Sequence, residues 1–115
     1  MKSRTLRFRV VDKKNFDEVK SGIKLIETRA GTIKYQPIEV GDTLTFVCGE
    51  ERCTKKISKK FRWASIDVMV KEIDFKKIMP SVISVAEMKK IYASYPDYEK
   101  KIKEHGLLGF VLESV

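Results

Sequence analysis

Lys24, Glu27 and Arg29 fall within six residues of one another in the stretch SGIKLIETRAG, residues 21–31. The rest of that stretch reads as a buried strand. A half-buried strand keeps its charges on the wet side at a spacing of two, whereas here both signs crowd around a strand start. A carboxylate flanked by two cations can brace the fold as a buried ion pair. It can also line a cleft, where the cations attract phosphate and the carboxylate accepts hydrogen bonds from a base or a sugar. A third use is chemical, with the carboxylate as base and the cations at a developing negative charge. Strand alternation puts Leu25, Glu27 and Arg29 on one face and Ile26 and Thr28 on the other. Glu27 and Arg29 are then same-face neighbours roughly 7 Å apart along the backbone. Lys24 has the opposite parity, but it stands at the strand start, where the turn after Gly22 can redirect its side chain.

Other residues with chemical potential are cationic or aromatic. Lys2, Arg4, Arg7 and Arg9 precede the first acid, Asp12, and the run RCTKKISKKFRW carries Arg52, Lys55, Lys56, Lys59, Lys60 and Arg62 with no acid. With a net charge of +8 and a pI near 9.5, these clusters fit a phosphate footprint, which gains affinity by counterion release, or a solvated, solubilising surface. Tyr92, Tyr95 and Tyr98 recur at three-residue spacing beside Pro96. They would serve as stacking platforms for bases or as helix-packing residues, Tyr95 being the least committed to packing. Trp63 admits the same two readings, and alternation with Phe61 favours burial. His105 precedes Gly106 at a helix end and reads as a dipole cap. Asp42 follows Gly41 in a turn that its carboxylate can shape. A single His and the absence of a CxxC pair leave no expected zinc site, and nothing calls for a cofactor.

These side chains need elements to hold them. RTLRFRVV alternates Leu6, Phe8 and Val10 against Arg7 and Arg9, a half-buried strand. DKKNFDEVKSG reads as a short helix burying Phe16 and Val19, with Gly22 as its left-handed stop. IKLIETRA, TLTFVCG and RCTKKI follow as strands, the last two forming a hairpin. If that hairpin turns at Glu50 and Glu51, Cys48 and Cys53 face each other within disulfide reach, either bridged or as free thiols. FRWASIDVMVKEIDF reads as a long strand of β-branched and aromatic residues, bent near Ala64 and Ser65. SVAEMKKIYASY begins with a capping box, Ser84 and Glu87, and turns Met88 and Ile91 inward. DYEKKIKEHG makes a further short helix capped by Asp97 and ended by Gly106, and LGFVLESV closes the sheet. The expected class is α+β: five or six mostly antiparallel strands curling into a small barrel, with two or three helices over one end.

At 115 residues one domain spanning residues 1–115 is expected. The charged fraction of 35% exceeds the usual quarter, a Lys/Glu enrichment of the kind hyperthermophile proteins show. No apolar run approaches the roughly 18 residues a membrane span needs. A soluble, cytoplasmic chain with no membrane partner is expected.

The stretch from Phe16 to Arg29 resembles the signature of ASCH domains: Gly22, Lys24, Glu27 and Arg29 at family spacing, then Val40, Gly41 and Asp42 in IEVGDTLTF, and a closing HGLLGFVLE. The likeness spans nearly the whole chain and is most specific in its first half. It implies a PUA-like β-barrel with a cleft beside the signature strand that binds RNA or a nucleotide-like ligand. Lys24, Glu27, Arg29, Asp42 and Tyr95 would be its ligand residues, and Arg7, Arg9, Lys55, Lys56, Lys59, Lys60 and Arg62 its nucleic-acid contacts. Some members are amidohydrolases acting on acetylated cytidine through a Lys, a Thr and a Glu, and others are associated with RNA cleavage. Here Lys24 matches the Lys, Glu27 stands where those enzymes have Thr, and their Glu falls near Ser81. As an enzyme, the chain would rely on Lys24 and Glu27 as catalytic residues.

Overall fold

The computed structural model describes residues 1–115. The first strand, β1 (Ser3–Phe8), buries Leu6 and half-buries Phe8 as alternation requires. It stops three residues short of the expected end. Val10–Asp12 form a 3-10 turn in which Val10 and Val11 are exposed, and the Arg9 guanidinium closes the turn on the Asp12 carboxylate at 2.8 Å. Helix α1 (Lys13–Ser21) buries Phe16 and Val19 and ends at Gly22, whose φ of 86° is open to glycine at no steric cost. Strand β2 (Ile26–Ala30) follows, and β3 (Thr43–Cys48) and β4 (Glu51–Trp63) form a hairpin.

The hairpin loop is Gly49–Glu50, one residue earlier than expected, with Gly49 at positive φ in its first position. Cys48 therefore pairs with Glu51 and Cys53 with Phe46, so the thiols sit diagonally rather than opposite, and both are free. The two stretches expected as separate strands, RCTKKI and FRW, are one thirteen-residue strand. Its irregularity lies between Ile57 and Lys59, not at Ala64 and Ser65.

Beyond Trp63 the expected strand is a helix. Ser65 caps α2 (Ile66–Glu72) by accepting the Val68 N–H at 3.2 Å. Ile66, Met69, Val70 and Ile73, spaced as a helical stripe, pack on the sheet while Val68 is exposed. A 3-10 turn at Phe75–Lys77 leads to α3 (Val85–Ser94), where Ser84 accepts the Glu87 N–H at 3.1 Å. Helix α4 (Tyr98–His105) starts from Asp97, whose backbone carbonyl takes the Lys101 N–H while its side chain caps nothing. Gly106 at φ 71° ends α4 against the Trp63 carbonyl, leaving no room for a Cβ. Strand β5 (Leu107–Ser114) closes the sheet.

The strand order is β1-β3-β4-β5-β2, all pairings antiparallel except the parallel β1–β3. The molecule is α+β, a curled five-stranded half-barrel with four helices, and it stays open because the end strands β1 and β2 do not pair. Both faces are covered. Leu6, Phe16, Leu44, Phe46, Ile57, Leu108 and Phe110 form one core on the α1 face; Ile26, Trp63, Met69, Met88, Tyr92 and Leu107 form another beneath α2–α4. Helices thus cover a face rather than an end, and β5 reads as the continuous apolar run LLGF because each of its sides is buried. No helix is long and apolar enough to cross a membrane.

Candidate functional site: a cleft between two sheet edges

The backbone around Lys24 decides where its ammonium goes. The Lys24 N–H donates to the Glu18 carbonyl at 3.0 Å, and the Leu25 N–H to the Lys77 carbonyl at 2.9 Å. Clamped on both sides, this turn exposes Ile23 and Leu25 and drives the Lys24 side chain inward, to 4% exposure. Its Nζ lies 3.5 Å from Glu27 Oε1.

Glu27 is the hub. Its Oε1 also accepts the Thr28 N–H at 3.0 Å, and its Oε2 faces Arg29 Nη2 at 3.3 Å. A carboxylate has about four lone-pair sites, and three are taken. The Arg29 guanidinium sits 5.4 Å from the Phe8 ring centroid and 5.5 Å from that of Tyr35, and donates to the Tyr35 hydroxyl. Burial works against its charge, but Glu27 and the surrounding tyrosines more than offset this, holding the pKa above the ordinary arginine value. Arg29 is always a cation here.

Sheet register explains which groups face the opening. The Leu112 N–H reaches the Leu25 carbonyl and the Gly31 N–H the Gly106 carbonyl, so the odd residues of β2 bond to β5. The even residues point their backbone at the gap. There the Thr28 N–H is met by Glu27 and the Ala30 N–H by the Tyr98 hydroxyl at 3.5 Å.

The far wall is aromatic. Tyr92 is sealed and its hydroxyl bonds that of Thr28. Tyr95 and Tyr98 are half-buried, their ring centroids 5.3 Å apart and edge-on. Asn15 donates to the Tyr95 hydroxyl at 3.1 Å. Burial pushes the Tyr95 phenol up to about 12 and raises Tyr92 and Tyr98 likewise, so all three stay protonated donors at neutral pH. Arg9 lies over the Tyr95 ring at 5.9 Å. Together these groups enclose about 190 Å³. An apolar cavity of about 150 Å³ accepts benzene, so a heteroaromatic ring or a phosphate fits.

Of the residues singled out from sequence, Lys24, Glu27, Arg29, Tyr95, Arg7 and Arg9 line this cleft. Asp42 does not. Its carboxylate accepts the Lys2 and Glu39 N–H groups, each at 2.9 Å, and pairs with Arg4, so it fixes the turn before β3. The basic run is divided by alternation and by the bulge. Lys60 and Arg62 lie across from Phe110 and Leu108, in the same sheet rows as Glu27 and Arg29 and on the same face. Lys59 falls on the opposite face with Phe61 and the buried Trp63, and packs over the Phe61 ring. Lys55 and Lys56 take opposite sides where β4 pairs with β3. Lys60 donates to the Gln36 carbonyl at 2.8 Å. Tyr92 and Tyr98, read from sequence as stacking or packing residues, line it too, and Phe8, Asp12, Asn15 and Thr28 join them without a sequence-level expectation. No group of three His, Cys, Asp or Glu side chains converges as metal ligands would.

No protein-family model and no curated protein matches the chain. Among solved structures it is similar to the crystal structure of the hypothetical protein PH0355, at 24% identity over 100% of both chains with a TM-score of 0.84. It is also similar to the solution NMR structure of PF0455 from Pyrococcus furiosus, at 23% identity over 98% of this chain and 96% of that one, TM-score 0.74. At such identities the likeness establishes a shared fold.

Proposed function

We propose that this protein is an ASCH-type, PUA-like module that binds RNA or a nucleotide-like ligand in the cleft between β1 and β2. The observation that carries the reading is the state of Lys24. Its buried ammonium has three donors, and the protein supplies one distant partner, Glu27 at 3.5 Å. Lys24 lines the cleft, so its remaining donors are placed for an anionic ligand, to which charge-assisted hydrogen bonds are strong. The tyrosine wall offers rings for stacking, and Arg7 and Arg9 at the rim offer phosphate contacts. Arg62, exposed in the same sheet row as Arg29, extends the cationic path beyond the cleft.

Binding is favoured over hydrolysis by the occupancy of Glu27. A general base needs a lone pair aimed at the proton it takes, and three of the four sites here are committed to Thr28, Lys24 and Arg29.

The test is titration of short single-stranded RNA at several salt concentrations. The expected plot of log affinity against log salt falls with a slope near −0.7 for each phosphate engaged, and the slope becomes shallower in Arg7→Gln and Arg9→Gln variants. Salt-insensitive affinity, or no binding, would contradict the reading.

A further inference from the structure

The geometry points to a phosphate monoester on a nucleoside as the group that occupies the cleft floor. This specifies the ligand of the nucleotide reading above and rests on it. The inventory of hydrogen-bonding groups is strongly one-sided. Lys24 keeps two unspent donors, because Glu27 takes only one. Arg29 spends two of its five donors, on Glu27 and Tyr35. Tyr95 and Tyr98 accept from Asn15 and from the Ala30 N–H, which leaves each hydroxyl proton free to donate. Against these donors Glu27 offers one uncommitted lone pair at the floor, and the remaining acceptors, Asp12 Oδ1 and the Asn15 amide oxygen, belong to side chains at the start of α1.

The part of a ligand that reaches Lys24 and Arg29 must therefore bring mainly acceptors. A base edge brings both, and its amino or imino hydrogens would meet cations. A phosphate monoester brings three acceptor oxygens and no donor when fully ionised, with a charge near −2. The charge fits too: the lining holds four cations, Arg7, Arg9, Lys24 and Arg29, against two carboxylates, an excess of two positive charges. An internal phosphodiester carries only one negative charge. With phosphate at Lys24 and Arg29, the half-buried Tyr95 ring beneath Arg9 is left for the sugar or base.

The same chemistry comes from a free ribonucleoside monophosphate or from the terminal phosphate of an RNA chain. Calorimetric titration of the full chain with ribonucleosides, their 3′- and 5′-monophosphates, and one RNA with and without terminal phosphate separates these sources. Monophosphates should bind about ten-fold or more tightly than nucleosides. Terminally phosphorylated RNA binding while free monophosphates do not would assign the RNA terminus; monophosphates gaining nothing from an attached chain would assign the free nucleotide. Lys24→Gln, which keeps neutral donors, should retain nucleoside binding and lose the phosphate preference, and Lys24→Met should lose it as well, both with unchanged circular dichroism. Equal affinity for nucleoside and monophosphate would overturn the phosphate assignment and leave the nucleotide reading intact. No binding of any of these ligands would overturn both.

Discussion

The guanidinium of Arg29 on β2 stacks over the ring of Phe8 on β1, 5.4 Å from its centroid, and so bridges the two sheet edges that no backbone hydrogen bond joins. The cleft exists because those strands stay apart, and its width is set by side chains. A double-mutant cycle on Phe8→Leu and Arg29→Met, followed by urea unfolding, should give a coupling energy of about 0.5–2 kcal/mol. Simple additivity would mean that the contact does not hold the edges together.

Glu27 and Lys24 should respond unequally to removal. Glu27→Gln strands two cations, one of them deeply buried, and should cost about 3–5 kcal/mol. Lys24→Met leaves Glu27 with Arg29 and the Thr28 N–H and should cost less than about 1 kcal/mol, since a well-packed apolar side chain often replaces a buried charge without loss. Denaturant midpoints of the two variants check this order. A protein that tolerates Glu27→Gln but unfolds on Lys24→Met would have its polar hub elsewhere.

Asp42 holds the turn before β3 and lies outside the cleft lining. Hydrogen bonds from the Lys2 and Glu39 N–H groups, with help from Arg4, hold its carboxyl below the usual carboxylate range. A depressed folded pKa contributes stability above the unfolded value, near pH 4, and that contribution is lost as pH falls through the folded value. Asp42→Ala should lower stability at neutral pH by about 1–3 kcal/mol, with the deficit shrinking below about pH 4, while ligand affinity at neutral pH is unchanged. Acid titration of the thermal midpoint in both proteins reads this directly.

Much of the scaffold was legible because local chemistry and tertiary packing agree. Gly22 stops α1, Ser84 caps α3, Gly106 ends α4, and the alternation of β2 turns Glu27 and Arg29 to one face. Where two periods compete, sequence does not choose. Ile66, Val68 and Val70 alternate as a strand does, yet Ile66, Met69, Val70 and Ile73 also match a helix, and burial on the sheet selects the helix. Replacing its cap, Ser65→Ala, should cost about 1 kcal/mol, and an unchanged thermal midpoint would show that packing alone sets that boundary.

The site was half legible for a related reason. Lys24, Glu27 and Arg29 come from one short stretch, so their convergence follows from strand geometry and one turn. Tyr98, Asn15 and Phe8 reach the cleft from α4, α1 and β1, elements distant in sequence from β2, and the place of Phe8 depends on β1 pairing parallel to β3 at the far edge from β2. The register shift beyond Ile57, which brings Lys60 and Arg62 to the face of Glu27 and Arg29, has no residue-type marker within a run of lysines.

Amide chemical-shift mapping with a ribonucleoside monophosphate is the most direct test of the proposed binding site. The largest changes should fall on the backbone amides of Lys24, Thr28, Arg29, Tyr95 and Tyr98, with Lys55, Lys56 and Lys59 unmoved. Changes confined to the β4 lysines, or none at saturating ligand, would contradict a binding site between β1 and β2.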